Sequence, residues 1–292
     1  MGNPGLSVFI HFIPDYLYHC NQFGYGGNFV RGNTLLKEVI QRWRSFKLLD
    51  FWIYYFRSLI SKNKDNHMRI NPALFVFFSE LKENNNRPWF QANKDSYEND
   101  VKEPLLTFIA AFGERVPEIS PSIMAIPRIT GGSLFRIYRD MRFSQDKTPY
   151  KTGAGIHFRH KRGKDVHAPG YYLHLEPGEV FAGCGIWKPN TETVTKIRTK
   201  IVEHPDQWLN IIQDKTFKKT FTLGGDSLVR PPQGFDPDHS LIDDLKRKDY
   251  LASIVLDERI VCQADFLEYY VELCKISAPF MEFLTRAVGL DW

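Results

Sequence analysis

The stretch Tyr171-Tyr172-Leu173-His174-Leu175-Glu176-Pro177-Gly178-Glu179-Val180-Phe181-Ala182-Gly183-Cys184-Gly185-Ile186 reads as two strands joined by Pro177-Gly178. Alternation at period two marks a half-buried strand, and a Pro-Gly pair between two such runs is a short-loop hairpin signal. With those two residues as the loop, Glu176 faces Glu179, His174 faces Phe181 and Tyr172 faces Gly183. One face then carries Tyr171, Leu173, Leu175, Val180, Ala182, Cys184 and Ile186, apolar throughout, and belongs on a core. The other carries Tyr172, His174, Glu176, Glu179, Phe181, Gly183 and Gly185, aromatic and ionisable, with two positions that lack side chains. Those glycines are where a ligand can approach the backbone.

Upstream, Ile156 and Phe158 alternate with His157 and Arg159, a further strand. Downstream, Asn190 caps a helix over 191–202, Pro205 begins another around Trp208, and 217–223 is strand-like. Gly224-Gly225 and Pro231-Pro232 punctuate a loop; a helix near 241–247, a strand near 253–256 and a long amphipathic helix over 263–287 close the chain. Before the hairpin, Asn71 as N-cap and Pro72 as first helical residue open a helix whose Leu74, Phe77, Phe78 and Leu81 recur at helical spacing. Asn84-Asn85-Asn86 supplies residues that tolerate the left-handed region where a helix ends, a second helix starts near Pro88, and Pro104 interrupts it or begins a third over 105–112. Helices that precede, interrupt and follow antiparallel hairpins give an α+β class, with one apolar sheet face covered by N- and C-terminal helices.

The chain has 292 residues, 43% hydrophobic and 25% charged, which excludes disordered, collagen-like and coiled-coil classes. Residues 1–67 hold 8 of the 38 Lys+Arg and 4 of the 34 Asp+Glu, so the remainder is balanced at 30 against 30 and the net +4 names no partner. The same 67 positions contain 14 aromatics against 28 in the other 225, a texture foreign to the rest. They are read as an aromatic-rich extension, either sequence from a misplaced start codon, the favoured reading, or a segment that docks on the domain or a membrane surface. The single α+β domain is then 68–292. The longest apolar run, 48–60, is interrupted by Asp50 and Arg57 and is too short to span a bilayer, and the opening residues lack the parts of a signal peptide. Four cysteines, Cys20, Cys184, Cys262 and Cys274, form no C-x-x-C pair, so a reducing cytoplasm is the expected setting.

The densest chemical text lies just before the hairpin. Between Arg128 and Lys164 stand ten Lys+Arg (Arg128, Arg136, Arg139, Arg142, Lys147, Lys151, Arg159, Lys161, Arg162, Lys164) against Asp140 and Asp146 alone. Positive charge concentrated in a balanced domain asks for an acidic partner. The fork of an arginine matches phosphate or carboxylate, and Arg136, Arg139 and Arg142 at spacing three converge on a helical turn but splay on a strand. Gly131-Gly132 can turn main-chain N–H groups toward an anion. The competing reading makes Arg139-Asp140 and Asp146-Lys147 internal salt bridges that pin a loop over Pro149 and Tyr150.

The pattern R-x-x-R-D-x-R-F-x-x-x-K-x-P-Y is matched by Arg136, Arg139, Asp140, Arg142, Phe143, Lys147, Pro149 and Tyr150. With Asn84-Asn85-Asn86-Arg87-Pro88-Trp89-Phe90, Asn93-Lys94, Gly131-Gly132-Ser133-Leu134-Phe135 and the Tyr172–Pro177 text, it resembles the bacterial conserved hypothetical family catalogued as domain of unknown function 2461. The resemblance covers Met68 to about Val288 and leaves 1–67 unmatched. It implies one bacterial-type domain and brings no established activity, cofactor or catalytic residue.

His174 and Glu176 share a strand face at i, i+2 and are candidates for acid-base work or metal binding, with Asp140 as a third catalytic candidate. No metal is expected, because neither H-E-x-x-H nor another ligand spacing occurs, and no cofactor fingerprint is present. Ser133 after two glycines does not match G-x-S-x-G, and Cys184 falls on the apolar face. A role beside the basic motif is weighed for Asn86 and Arg87. The expected function is binding, with or without processing, of a phosphate-bearing or other anionic ligand by Arg136, Arg139, Arg142, Lys147, Tyr150 and Lys151. Nucleic acid is a weaker partner candidate. The alternative is a non-enzymatic protein-interaction or structural module with an internal Arg/Asp network.

Overall fold

The computed structural model describes residues 69–140, 142, 145–162 and 168–292. The extension 1–67, the domain start at Met68, and the motif residue Phe143 lie outside the described residues. The hairpin adopts the register that its sequence dictates. Strand β3, Gly170–Glu176, pairs antiparallel with β4, Glu179–Ile186, so that Glu176 meets Glu179, His174 meets Phe181 and Tyr172 meets Gly183. Gly178 in the loop has φ 79°, a left-handed conformation that glycine takes without a Cβ clash.

Around that hairpin an open antiparallel sheet runs in the order β1-β2-β3-β4-β6-β5, with β1 Ile123–Met124, β2 Ala154–His160, β5 Thr222–Gly224 and β6 Tyr250–Val255. The class is α+β. Tyr171, Leu173, Leu175, Val180, Ala182, Cys184 and Ile186 are all buried, joined on the same face by Ala154, Ile156 and Phe158 of β2 and by Tyr250 and Ala252 of β6. Helix α3, Glu103–Arg115, and the C-terminal helix Phe266–Ala287 lie against it: Phe112 sits 4.3 Å from Phe158, Tyr270 sits 5.9 Å from Phe158, and the Tyr171 hydroxyl donates to the Cys274 carbonyl at 3.1 Å. Burial also pushes the Cys184 thiol up to about 12, so it is inert packing.

At the start of the described chain, helix α1 spans Ala73–Glu83 and buries Leu74, Phe77, Phe78 and Leu81. The Asn71 side chain accepts from the Ala73 N–H at 3.0 Å, the capping role expected of it. Asn84–Asn86 depart from expectation, because none of them is left-handed; Asn84 has φ −124°. Asn84 instead closes α1 with its backbone N–H. Asn86 caps α2, Arg87–Ala92, by accepting from Trp89 N–H at 3.0 Å. A π-helical turn over Tyr97–Lys102 leads into α3, which Pro104 begins rather than breaks.

Between the hairpin and β6 lie α4, Thr191–Glu203, capped by Asn190; α5, Pro205–Ile212; α6, Lys215–Thr220; and α7, Ile242–Leu245. The strand expected over 217–223 is a helix until Thr220, with only Thr222–Gly224 extended. Asp214 explains the difference: its side chain accepts from the Phe217 N–H at 2.8 Å, an N-cap that a strand reading overlooks. After a short α8, Glu258–Val261, the C-terminal helix is α9. Trp208 of α5 is fully buried against Tyr250 and Phe283. No helix among the described residues is long and apolar enough to cross a membrane.

Candidate functional site

One face of the sheet carries the core, so the other stands free, and the ladder register arranges it in ranks. Arg159, Gly170, Gly185, Leu251 and Gly224 lie side by side across β2, β3, β4, β6 and β5. The next rank is His157, Tyr172, Gly183, Ser253 and Thr222, and the one after it Gly155, His174, Phe181 and Val255. Because glycines replace side chains in the first two ranks, the middle of the face is hollow. A cleft of about 640 Å³ results, within the range of small-molecule sites, with Phe135, Tyr172, Phe181 and Trp187 among its walls and Arg159, His157 and Ser253 as its polar groups.

Two of the glycines are required by internal packing. A Cβ on Gly170 would lie 2.4 Å from His157 Nε2, and one on Gly185, whose φ is 121°, would lie 2.0 Å from the Tyr250 carbonyl oxygen. Gly170 thus makes the niche in which His157 sits, flanked edge-on by Phe135 and Tyr172. Burial first, and the neighbouring Arg159 second, lower the His157 pKa to about 4, so its imidazole is neutral at pH 7. At the far end, the buried Asp249 carboxylate accepts from the backbone N–H groups of Lys188 and Asp226. It therefore holds together the two turns that form the rim, Trp187-Lys188 and Gly224–Asp226.

Beside the cleft runs a chain of polar contacts along β3. The Tyr172 hydroxyl is 3.2 Å from His174 Nδ1, His174 Nε2 is 3.3 Å from Glu176 Oε2, and the Thr152 hydroxyl donates to Glu176 Oε1 at 2.7 Å. Residues at i, i+2 and i+4 of one strand point the same way, which is why the three fall in line. Phe181 stacks on the His174 ring at 5.0 Å, and the absence of a side chain on Gly155 leaves room for the Tyr172 hydroxyl, which a Cβ there would approach to 2.6 Å. Burial and the charges of Glu176 and Glu179 raise the Tyr172 pKa, keeping its phenol protonated. The line can relay a proton between a carboxylate and a phenol at the cleft wall. The turn register also brings Glu179 over to Glu176, so that His174, Glu176 and Glu179 offer ligand atoms within 4.8 Å of one another and are the residues here that could hold a cation. Linear spacing alone did not suggest that trio as a metal set.

The described residues of the basic segment 136–151 form no helix. Arg139 N–H donates to Pro149 O at 2.9 Å and Lys151 N–H to Ile137 O at 2.8 Å, with bridges Leu134 to Ile156 and Tyr138 to Tyr150. On this extended backbone Arg136, Arg139 and Arg142 do not gather on one helical face. Asp140 pairs with Arg142, not with Arg139 as the competing reading has it: Arg142 Nε donates to Oδ1 at 2.9 Å and its Nη2 to Oδ2 at 2.6 Å. These bonds hold the Asp140 carboxyl well below the usual range. Arg139 pairs instead with Asp146, which also accepts the Thr148 N–H and hydroxyl. Both ion pairs are exposed to solvent. Lys147 is exposed, and Tyr150 is buried, stacked on Phe90 at 4.2 Å. Gly132 N–H and Ser133 N–H are spent on the Ile129 and Ile126 carbonyls, and Ser133 Oγ accepts from Ile126 N–H, so the glycine turn closes on itself.

Lys151 is the member of the segment that reaches the cleft. Its Nζ lies 5.3 Å from the centre of the Phe135 ring, a cleft wall, and its pKa is lowered by burial and then by Arg136 and Arg139. Sequence reasoning missed two features. Asn85, overlooked in favour of Asn86 and Arg87, pairs both ways with the Tyr150 backbone, donating to its O at 3.0 Å and accepting from its N–H at 3.1 Å. Trp187, Leu251 and Ser253 join the cleft only through the β4–β6 pairing; the alternation of β6 was a signal for them, but its start at Tyr250 was not foreseen.

No match to a curated protein was found. The model of the family described as conserved hypothetical protein (DUF2461) matches residues 73–283, which hold α1, the basic segment, the entire sheet and nearly all of α9. The chain belongs to that family.

Proposed function

We propose that this domain binds a small ligand bearing a phosphate or another anionic group in the cleft on the free sheet face, with Lys151 and Arg159 as its charged contacts and Arg136 and Arg139 adding to the local field. The observation that carries this reading is the placement of cations at the edge of an apolar-walled hollow: Arg159 lines the cleft of about 640 Å³ and Lys151 lies over Phe135, one of its walls. Burial first, and the charges of Arg136 and Arg139 after it, lower the Lys151 pKa, and an arriving anion offsets both. Arg142 and Lys147 serve the loop beside the site in this reading, and Tyr150 anchors it from beneath. If the ligand is processed, Tyr172, His174 and Glu176 carry the acid-base work, and Asp140, tied to Arg142, orients an arginine. The setting remains a cytoplasmic one in this proposal.

A phosphate-ester and oligonucleotide thermal-shift panel on the full chain tests it, since a ligand at a hundredfold its Kd adds about 2.7 kcal/mol of stability. Lys151→Gln and Arg159→Gln should remove the response without lowering the melting temperature of the ligand-free protein. A second reading, a protein-interaction or structural module, draws support from the exposed Arg142–Asp140 and Arg139–Asp146 pairs, which engage those arginines within the chain. A flat panel selects that reading and refutes the first.

A further inference from the structure

Two glycines of the cleft floor have no reason inside the protein to be glycine. A Cβ on Gly183 would meet only Ala252 O at 3.7 Å and Phe181 and Ser253 side chains at 4.0 Å, which is ordinary contact, and a Cβ on Gly224 would meet nothing within 4 Å. Neither has a positive φ. Glycine in a strand interior weakens the strand, through chain entropy and lost packing. Gly170 and Gly185 differ, because packing demands them. Around this floor stand flat side chains: Tyr172 directly beside Gly183, Phe181 in the next rank, Phe135 at one edge, and Trp187, which is 67% exposed on the rim. This tryptophan stands at the rim of a hollow of ligand size, its turn held by the Asp249 contacts, and although Lys188 Nζ lies 4.7 Å from the ring centre it remains a largely exposed stacking surface.

Resting on the anion reading above, we infer that the ligand is a planar aromatic or heteroaromatic ring carrying its anionic group at one end, the ring lying flat on the β4 backbone at Gly183 and Gly185 beside Trp187 and the anion reaching Arg159 and Lys151. Flat rings fit because exposed strand backbone offers a surface that a branched or flexible chain cannot follow closely. Charge fits because Arg159 on β2 stands beside Gly170, which pairs with Gly185 on β4. Two strand spacings, about 10 Å, separate the floor from the Arg159 backbone, a gap that an aryl ring with its phosphate and the reach of the arginine side chain cover.

Three probes separate ring from charge: 1-naphthyl phosphate, hexyl phosphate and inorganic phosphate, titrated against the full chain by calorimetry. Naphthyl phosphate should bind about tenfold to a hundredfold more tightly than hexyl phosphate, the span that one stacked ring contributes. Gly183→Val and Trp187→Ala should each cut naphthyl phosphate affinity about tenfold or more, while inorganic phosphate binding and the melting temperature stay as in the parent. Trp187→Ala, at an exposed rim position, keeps the test valid should Gly183→Val perturb the sheet. Equal affinity for the naphthyl and hexyl esters, or naphthyl phosphate binding unmoved by the folded variants, overturns the ring assignment and leaves the anion reading standing. Absence of binding by all three phosphates overturns both.

Discussion

His157 offers a sharp test of how the free face is built, because its neutral state is imposed by surroundings that the sheet register assembles. Its ring occupies the niche left by Gly170, between Phe135 and Tyr172, with Arg159 two residues on. Desolvation and the guanidinium both penalise the imidazolium, and its pKa falls from 6.5 to about 4. The unfolded chain therefore binds a proton near pH 6.5 that the folded chain refuses until near pH 4. Stability is whole above the unfolded value, declines as pH falls through the window between the two, and has lost its full amount below the folded value. At 1.36 kcal/mol per pKa unit the complete loss is about 3 kcal/mol, and about 2 kcal/mol of it has appeared by pH 5. Replacing His157 with Gln removes the titrating group and keeps a polar side chain of similar reach. Urea unfolding of both proteins at constant ionic strength, from pH 7.5 to 5.0, isolates the effect as the change in their stability difference, since the carboxylates titrate equally in both. The difference should shift by about 2 kcal/mol in favour of the variant as the pH falls to 5. A pH-independent difference, or a His157 resonance titrating near 6.5, refutes the reasoning and with it the closed niche at that end of the cleft.

Asn85→Ala should cost about 2 to 4 kcal/mol in urea unfolding, because it strands the N–H and the carbonyl of the buried Tyr150; a loss under 1 kcal/mol would mean that the Asn85 bridge is not what seats the basic segment. Gly185→Ala should destabilise by about 3 kcal/mol or more, since the added methyl meets the Tyr250 carbonyl and the φ is left strained, whereas Gly183→Ala should melt no lower than the parent; equal behaviour of the two would contradict the packing of the β4–β6 ladder. Arg139→Ala and Arg142→Ala break exposed ion pairs and should each change stability by no more than about 1 kcal/mol; unfolding of either variant would show that a buried network, rather than a solvated one, organises the loop. Elemental analysis of protein purified without chelator should find zinc, iron and manganese well below one per chain, because Glu179 is exposed and His174 Nε2 is already shared with Glu176; a stoichiometric metal that disappears in His174→Ala would reverse this.

Much of the fold was legible because it rests on local periodicity. The alternation through 171–186 needs only the two-residue repeat of a strand, and Pro177-Gly178 needs only turn chemistry, so the face assignments and the Glu176–Glu179 register follow without tertiary information. Caps were read where the side chain bonds within three residues, at Asn71 and Asn190. The reading fails where spaced aromatics in 217–223 look like a strand: Phe217 is buried inside a short helix, Phe221 is its extended C-cap, and the decisive signal is the upstream Asp214 cap. Asparagines 84–86 were assigned to one backbone role by composition, yet each does something different, because what Asn85 bonds to lies 65 residues away.

By itself the sequence determined the α+β class, the apolar and ionisable faces of the central hairpin, the alignment of Tyr172, His174 and Glu176, and the concentration of positive charge before it. All of these depend on residues close in the chain, where geometry is set by backbone repeat and turn type. The tertiary structure alone decided which strands flank the hairpin, and so which side chains surround its glycines: β6 brings Leu251 and Ser253, β5 brings Gly224, and the turn after β4 brings Trp187. It also decided the state of the basic segment, because a run of arginines at spacing three is compatible with a helix or an extended chain until distant hydrogen-bond partners choose. Here Asn85 claims the Tyr150 backbone, Ile137 and Pro149 complete the pairing, and Lys151 is delivered to Phe135 at the cleft wall. A site built from residues separated by more than a hundred positions has no local free-energy signature; it exists only once the core face has been buried and the opposite face is left in water.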